Sequence, residues 1–205
     1  LLFLVIATAQ LLPPSTRVIC PDLGGDRGIL LVNDGRNILY YKASRISSRT
    51  AVWEWNSILA YEGVEEADVL ILDLEDVDKP LPLVMGIPVR EIWVTGGDPR
   101  KWAKQLLSGQ TARVRCLGRA ALSLDELHFI TNGSSWQMVM GEKDIFLSGR
   151  RPMPKASPHT LWITGSHGFQ EYTEKDAETM APELVIYGGT RLVHDYEDME
   201  LFDFK

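Results

Sequence analysis

After an almost wholly apolar opening, Leu1–Leu12 closed by Pro13-Pro14, the chain settles into short β-rich runs divided by turn signals. That pattern belongs to an α/β or α+β domain. Arg17–Cys20 and Gly28–Val32 read as strands, and Asn33-Asp34-Gly35-Arg36 turns the second into Asn37–Tyr41, because Asp-Gly accepts the positive φ of a tight hairpin. Trp55, Ile58, Leu59 and Glu62 recur at helical spacing, predicting a helix over Trp53–Glu62 with Gly63 as its C-cap. The most apolar strand, Asp68–Leu72, reads as a central one buried on both faces.

That strand runs into Asp73-Leu74-Glu75-Asp76-Val77-Asp78-Lys79, a carboxylate-rich loop. Loops at the carboxyl ends of central strands are where α/β proteins place their chemistry. A further strand, Val89–Val94, ends at Thr95-Gly96-Gly97, and Pro99–Leu107 reads as a short helix. The later half returns to strands at Glu126–Ile130, Ser135–Met140 and Ile145–Leu147, with Gly141–Asp144 as the hairpin joining the last two. Thr160–Thr164 and Leu184–Tyr187 read as strands around a short helix at Thr173–Met180, and the tail from His194 is acidic and aromatic.

Composition narrows the function classes. With 21 Lys+Arg against 28 Asp+Glu the net charge is −7, so a protein that coats DNA through a generally basic surface is excluded, and any polyanion must be met locally. Cys20 and Cys116 make neither a CxxC pair nor a disulfide framework. Glycine pairs at Gly24-Gly25 and Gly96-Gly97 lack the spacing of a phosphate-cradling loop, and Ser135 and Ser148 lack a nucleophile elbow. Residues 1–14 are too short to cross a hydrocarbon core that takes about 20 residues. They read either as a buried first element or as the tail of a membrane helix, leaving 15–205 as a single domain.

The succession of motifs resembles the metallo-β-lactamase-like domain at the C-terminus of the bacterial competence DNA-uptake channel ComEC. Asp22-Leu23-Gly24-Gly25-Asp26 stands where that family has D-V-G-Q-G-D, and Asp73–Lys79 stands where it has S-H-P-D-A-D-H. Asn132-Gly133-Ser134-Ser135 matches its N-x-x-S, Phe146–Arg150 its L-L-T-G-D, and Gly165-Ser166-His167-Gly168 its G-H-H-G. The resemblance implies an αββα sandwich of two packed mixed sheets flanked by helices. It also implies an extracytoplasmic position, attachment to the membrane-channel portion of the same polypeptide, and a role in taking up single-stranded DNA.

Departures from the family pattern fall on the metal ligands. Members that cut phosphodiesters hold two divalent metals, Mn or Zn, on several His and Asp side chains, which ionise a bridging water. Here Leu74 stands at the first His of the loop, Lys79 at its last, and Arg150 at the Asp of T-G-D; Asp76, Asp78, His167 and His194 remain. A fixed cation ~4 Å from a metal is repelled by about 4 kcal/mol per unit charge at an effective dielectric near 20. The sequence therefore predicts a vestigial site that holds no metal and performs no catalysis. Lys79 and Arg150 either fill the metal positions and pair with Asp76 and Asp78, or point to solvent. The alternatives are an active metal-dependent nuclease using Asp76, Asp78, His167 and His194, and a scaffold without affinity for nucleic acid. Candidate nucleic-acid contacts are Lys143, Arg150, Arg151 and Lys155, with Trp136 and Trp162 nearby as stacking platforms. The competing view makes Gly149–Lys155 a solvated loop. His128, alternating with apolar neighbours, reads as structural, and His159 as exposed.

Overall fold

The computed structural model describes residues 16–21, 27–42, 49–74, 86–96, 112–147, 160–164 and 184–187. Among these residues the chain builds two six-stranded mixed sheets, each from one contiguous half of its length. In the first half, β1 (Thr16–Ile19), β2 (Arg27–Asn33) and β3 (Arg36–Lys42) run antiparallel. β4 (Ala67–Asp73), β5 (Val89–Thr95) and β6 (Arg113–Cys116) then add in parallel. The second half repeats the plan: β7 (Arg119–Leu124), β8 (Leu127–Asn132), β9 (Trp136–Met140) and β10 (Lys143–Leu147) are antiparallel neighbours. β11 (Thr160–Thr164) and β12 (Leu184–Tyr187) follow in parallel.

The predicted turn between β2 and β3 is present, with Asp34 at φ 45° and Gly35 at φ 78°, the pair of positive values a type I′ hairpin requires. The helix α1 (Arg49–Tyr61) begins earlier than Trp53 and is closed by Gly63 at φ 67°. Val64 N donates to Leu59 O at 2.8 Å and Gly63 N to Ala60 O at 3.3 Å, a Schellman closure in which buried Val64 packs with Leu59.

Period-two alternation sends each strand's side chains to two cores. Leu39, Tyr41, Leu70, Leu72, Ile92 and Val94 pack against Trp55 and Leu59 of α1. Ile38, Tyr40, Val69, Ile71 and Trp93 meet Phe129, Trp136, Met138 and Ile145 of the second sheet. β4 is thus buried on both faces, as its unbroken apolar run predicts. Trp93 closes the contact, edge-on to Phe129 at 5.1 Å between ring centroids and stacked on Trp136 at 6.4 Å.

The structure corrects several expectations. β6 and β7, unmarked in the sequence reading, form the edge of each sheet. The turn before β10 is confined to Gly141-Glu142, with Lys143 and Asp144 inside the strand. Trp136 is wholly buried between the sheets, so it cannot stack on a base. The expected helices at Pro99–Leu107 and Thr173–Met180 lie outside the described residues.

Candidate functional site

Three parallel strands, β3, β4 and β5, end side by side, and their last residues are in register: Lys42 beside Asp73, and Asp73 beside Thr95. Alternation decides where these side chains go. Lys42 shares the parity of Ile38 and Tyr40, Asp73 that of Val69 and Ile71, and Thr95 that of Trp93, so all three face the space between the sheets. The result is a polar row at the carboxyl ends of an otherwise apolar interior.

Lys42 Nζ lies 3.2 Å from Asp73 Oδ2, with the two side chains 5% and 0% exposed. Tyr40 Oη donates to the same carboxylate oxygen at 3.2 Å. Next in the row, Thr95 Oγ1 accepts from Trp136 Nε1 at 3.2 Å across the gap between the sheets and lies 3.5 Å from Leu72 O. Leu74 N donates to Thr95 O at 2.8 Å, which holds the start of the carboxylate-rich loop against β5. Burial of two opposite charges is tolerated here because each ion has a partner, and removing one would strand the other.

Leu74 follows the opposite parity. Its side chain is buried with Leu70, Leu72 and Trp55 in the core beneath α1, so the residue at the family's first histidine position points away from the gap between the sheets. The remaining loop residues Asp76, Asp78 and Lys79, together with Arg150, Arg151, Lys155, His159, His167 and His194, lie outside the described residues. Lys143 is described, and it opens β10, whereas the basic stretch Arg150–Lys155 follows that strand's other end. His128 is exposed on β8, with Nδ1 2.9 Å from Ser123 Oγ.

Asn132-Gly133-Ser134-Ser135 proves to be a turn with its own bonding. Asn132 Oδ1 accepts from Ser134 N at 3.0 Å and Ser135 N at 2.8 Å, while Thr131 Oγ1 donates to Ser135 O at 2.9 Å. The asparagine stands in for backbone acceptors, so an N-x-x-S pattern is explained here by loop geometry.

The donor set at the described strand ends does not fit a divalent metal. It consists of an ammonium, a carboxylate already paired to it, a threonine bonded to Trp136 and a leucine turned into the core. No group of three or more His, Cys, Asp or Glu able to hold a metal occurs among the described residues. Burial pushes the Cys20 thiol up to about 12 and raises Cys116 as well, so both keep their protons at neutral pH and neither offers a thiolate.

Lys42 is the residue that sequence reading missed. A lysine closing the aromatic run Leu39-Tyr40-Tyr41 resembles an ordinary exposed strand end. Its parity with Ile38 and Tyr40, and that of Asp73 with Val69 and Ile71, was the available signal.

With this geometry in hand, the class is clear: the chain has the metallo-β-lactamase fold. It is similar to a diphosphatase of the PhnP family, at 9% identity and TM-score 0.51, over 79% of this chain and 71% of that one. It is also similar to the metallo-β-lactamase-fold protein YhfI from Bacillus subtilis, at 8% identity and TM-score 0.50, over 87% of this chain and 98% of that one. No family model and no curated protein sequence matches the chain. Identities this low speak for the fold alone.

Proposed function

We propose that this chain is a metal-free, non-hydrolytic metallo-β-lactamase-fold domain of a ComEC-type DNA-uptake protein. It stands on the extracytoplasmic side of the membrane, attached to the channel portion of the same polypeptide, and binds single-stranded DNA or braces the channel. The observation that carries this reading is the buried Lys42–Asp73 pair, in which the carboxylate at the strand ends is taken up by an ammonium in place of a metal. Leu74 in the core and the cations Lys79 and Arg150 in the sequence support it from the ligand side. The link to DNA uptake is supported by the ordered succession of motifs from Asp22 to Gly168.

The test is metal content after incubation with Mn²⁺ and Zn²⁺, read beside cleavage of a labelled single-stranded oligonucleotide. The expected result is less than one metal per chain and an intact oligonucleotide. Binding of that oligonucleotide should weaken steeply with salt, as counterion release demands. Two metals per chain, with cleavage abolished in Asp78→Ala, would establish the active nuclease instead. An intact oligonucleotide that does not bind at low salt would leave the scaffold.

A further inference from the structure

The outward face of α1 is unusual for an exposed helix. Surface helices normally present charged side chains to water, yet among the described side chains of α1 the exposed ones are Trp53, Ser57, Ala60 and Tyr61, none of them charged. On a helix of 3.6 residues per turn these four fall within a stripe of about 100°. Trp53 is 66% exposed and Tyr61 88%, the two most exposed large hydrophobic side chains among the described residues. Both side-chain types carry an apolar body and a polar tip, the chemistry favoured where hydrocarbon meets lipid headgroups.

The end of the stripe is tied to the first described strand. The helix ends at Tyr61, and Glu62 immediately after it bonds Arg17 of β1. Arg17 is the second residue of β1, so the apolar run Leu1–Leu12 and Pro13-Pro14 joins the fold within a few residues of that ion pair. The end of α1 and β1 are therefore fastened together.

We propose that the outer face of α1 is a membrane-docking surface, seating Trp53 and Tyr61 in the headgroup region of a zwitterionic bilayer. This rests on the reading of Leu1–Leu12 as the tail of a membrane helix. Zwitterionic lipid is favoured because the described stripe carries no Lys or Arg and Glu62 and Glu65 follow it, against Arg49 as the one basic residue of the helix. The docked helix lies along the surface, since contact at Tyr61 alone would leave Trp53, eight residues earlier, about 12 Å away.

The test uses the full chain with phosphatidylcholine vesicles carrying a brominated lipid that quenches tryptophan on contact. Vesicle association is measured by flotation, and the Trp53 contribution is isolated by difference from Trp53→Phe. The expected result is association together with quenching that is largely lost in Trp53→Phe. Trp53→Ser combined with Tyr61→Ser should lower partitioning about tenfold, the effect of ~1.4 kcal/mol of lost apolar contact, with an unchanged circular dichroism spectrum. Association with equal quenching in the chain and Trp53→Phe would overturn the docking face while leaving the membrane-tail reading intact. Failure to associate at all would overturn both. A dimer in lipid-free solution that dissociates in the Trp53→Ser, Tyr61→Ser variant would assign the face to a second copy of the chain and overturn lipid docking.

Discussion

The two ends of the first sheet carry the same kinds of charge in opposite settings. At the start of β4 and β5, Asp68 accepts from Arg36 at 2.9 Å and from Arg90 at 3.2 Å, Arg90 grips Glu66 at 2.8 Å, and Arg36 reaches Asp125 of the second sheet at 2.8 Å. Apart from Asp68, whose side chain is 12% exposed, these groups are open to water, where chain entropy and screening consume most of a Coulombic attraction. At the finish of β3 and β4, Lys42 and Asp73 form one ion pair out of water. Number of contacts is therefore a poor guide: the richer network is the more dispensable, and the single pair is the one whose loss strands a charge in an apolar interior.

The largest expected effect tests that contrast directly. Lys42→Met should lower the unfolding free energy by about 3–5 kcal/mol, because Asp73 is left buried without its cation. Adding Asp73→Leu to it should recover much of the loss, read from urea denaturation midpoints at constant slope. If Lys42→Met alone melts like the parent, the two ends are equivalent and the contrast fails. A middle-sized effect is expected for Thr95→Val, which removes the acceptor of Trp136 Nε1. About 1–3 kcal/mol should be lost for a buried donor left unsatisfied. The smallest effect belongs to the wet end. The Arg90 fork holds the Glu66 carboxyl below the usual carboxylate range. Its folded pKa thus lies below its unfolded one, so its stabilising contribution is present above the unfolded pKa and is lost as pH falls through the folded one. The difference in midpoint between the parent and Glu66→Gln should accordingly be small at pH ~7, vanish towards pH ~2 and shrink in ~1 M salt.

How far the sequence could be read follows the same division. β4 and the turn at Asp34-Gly35 were legible because their signals are local: an unbroken apolar run, and a dipeptide that tolerates positive φ. β6 and β7 were not, since Arg113, Arg115 and Arg119 interrupt short segments that, as sheet edges, bury little. Trp136 misled for a related reason. An aromatic next to a basic loop in sequence looks available to a ligand, and only the opposing Trp93 and Thr95 show that it belongs to the interior. The pair at the site was hidden because its two members come from different strands, brought together by parallel register.

The passage from β6 to β7 through Leu117-Gly118 has a consequence for how the chain folds. Every strand pairing among the described residues is made within one half of the sequence, so none of these β-ladders waits for the distant half. The two halves then meet across a short tether, which sets a high effective concentration for the contact between the sheets.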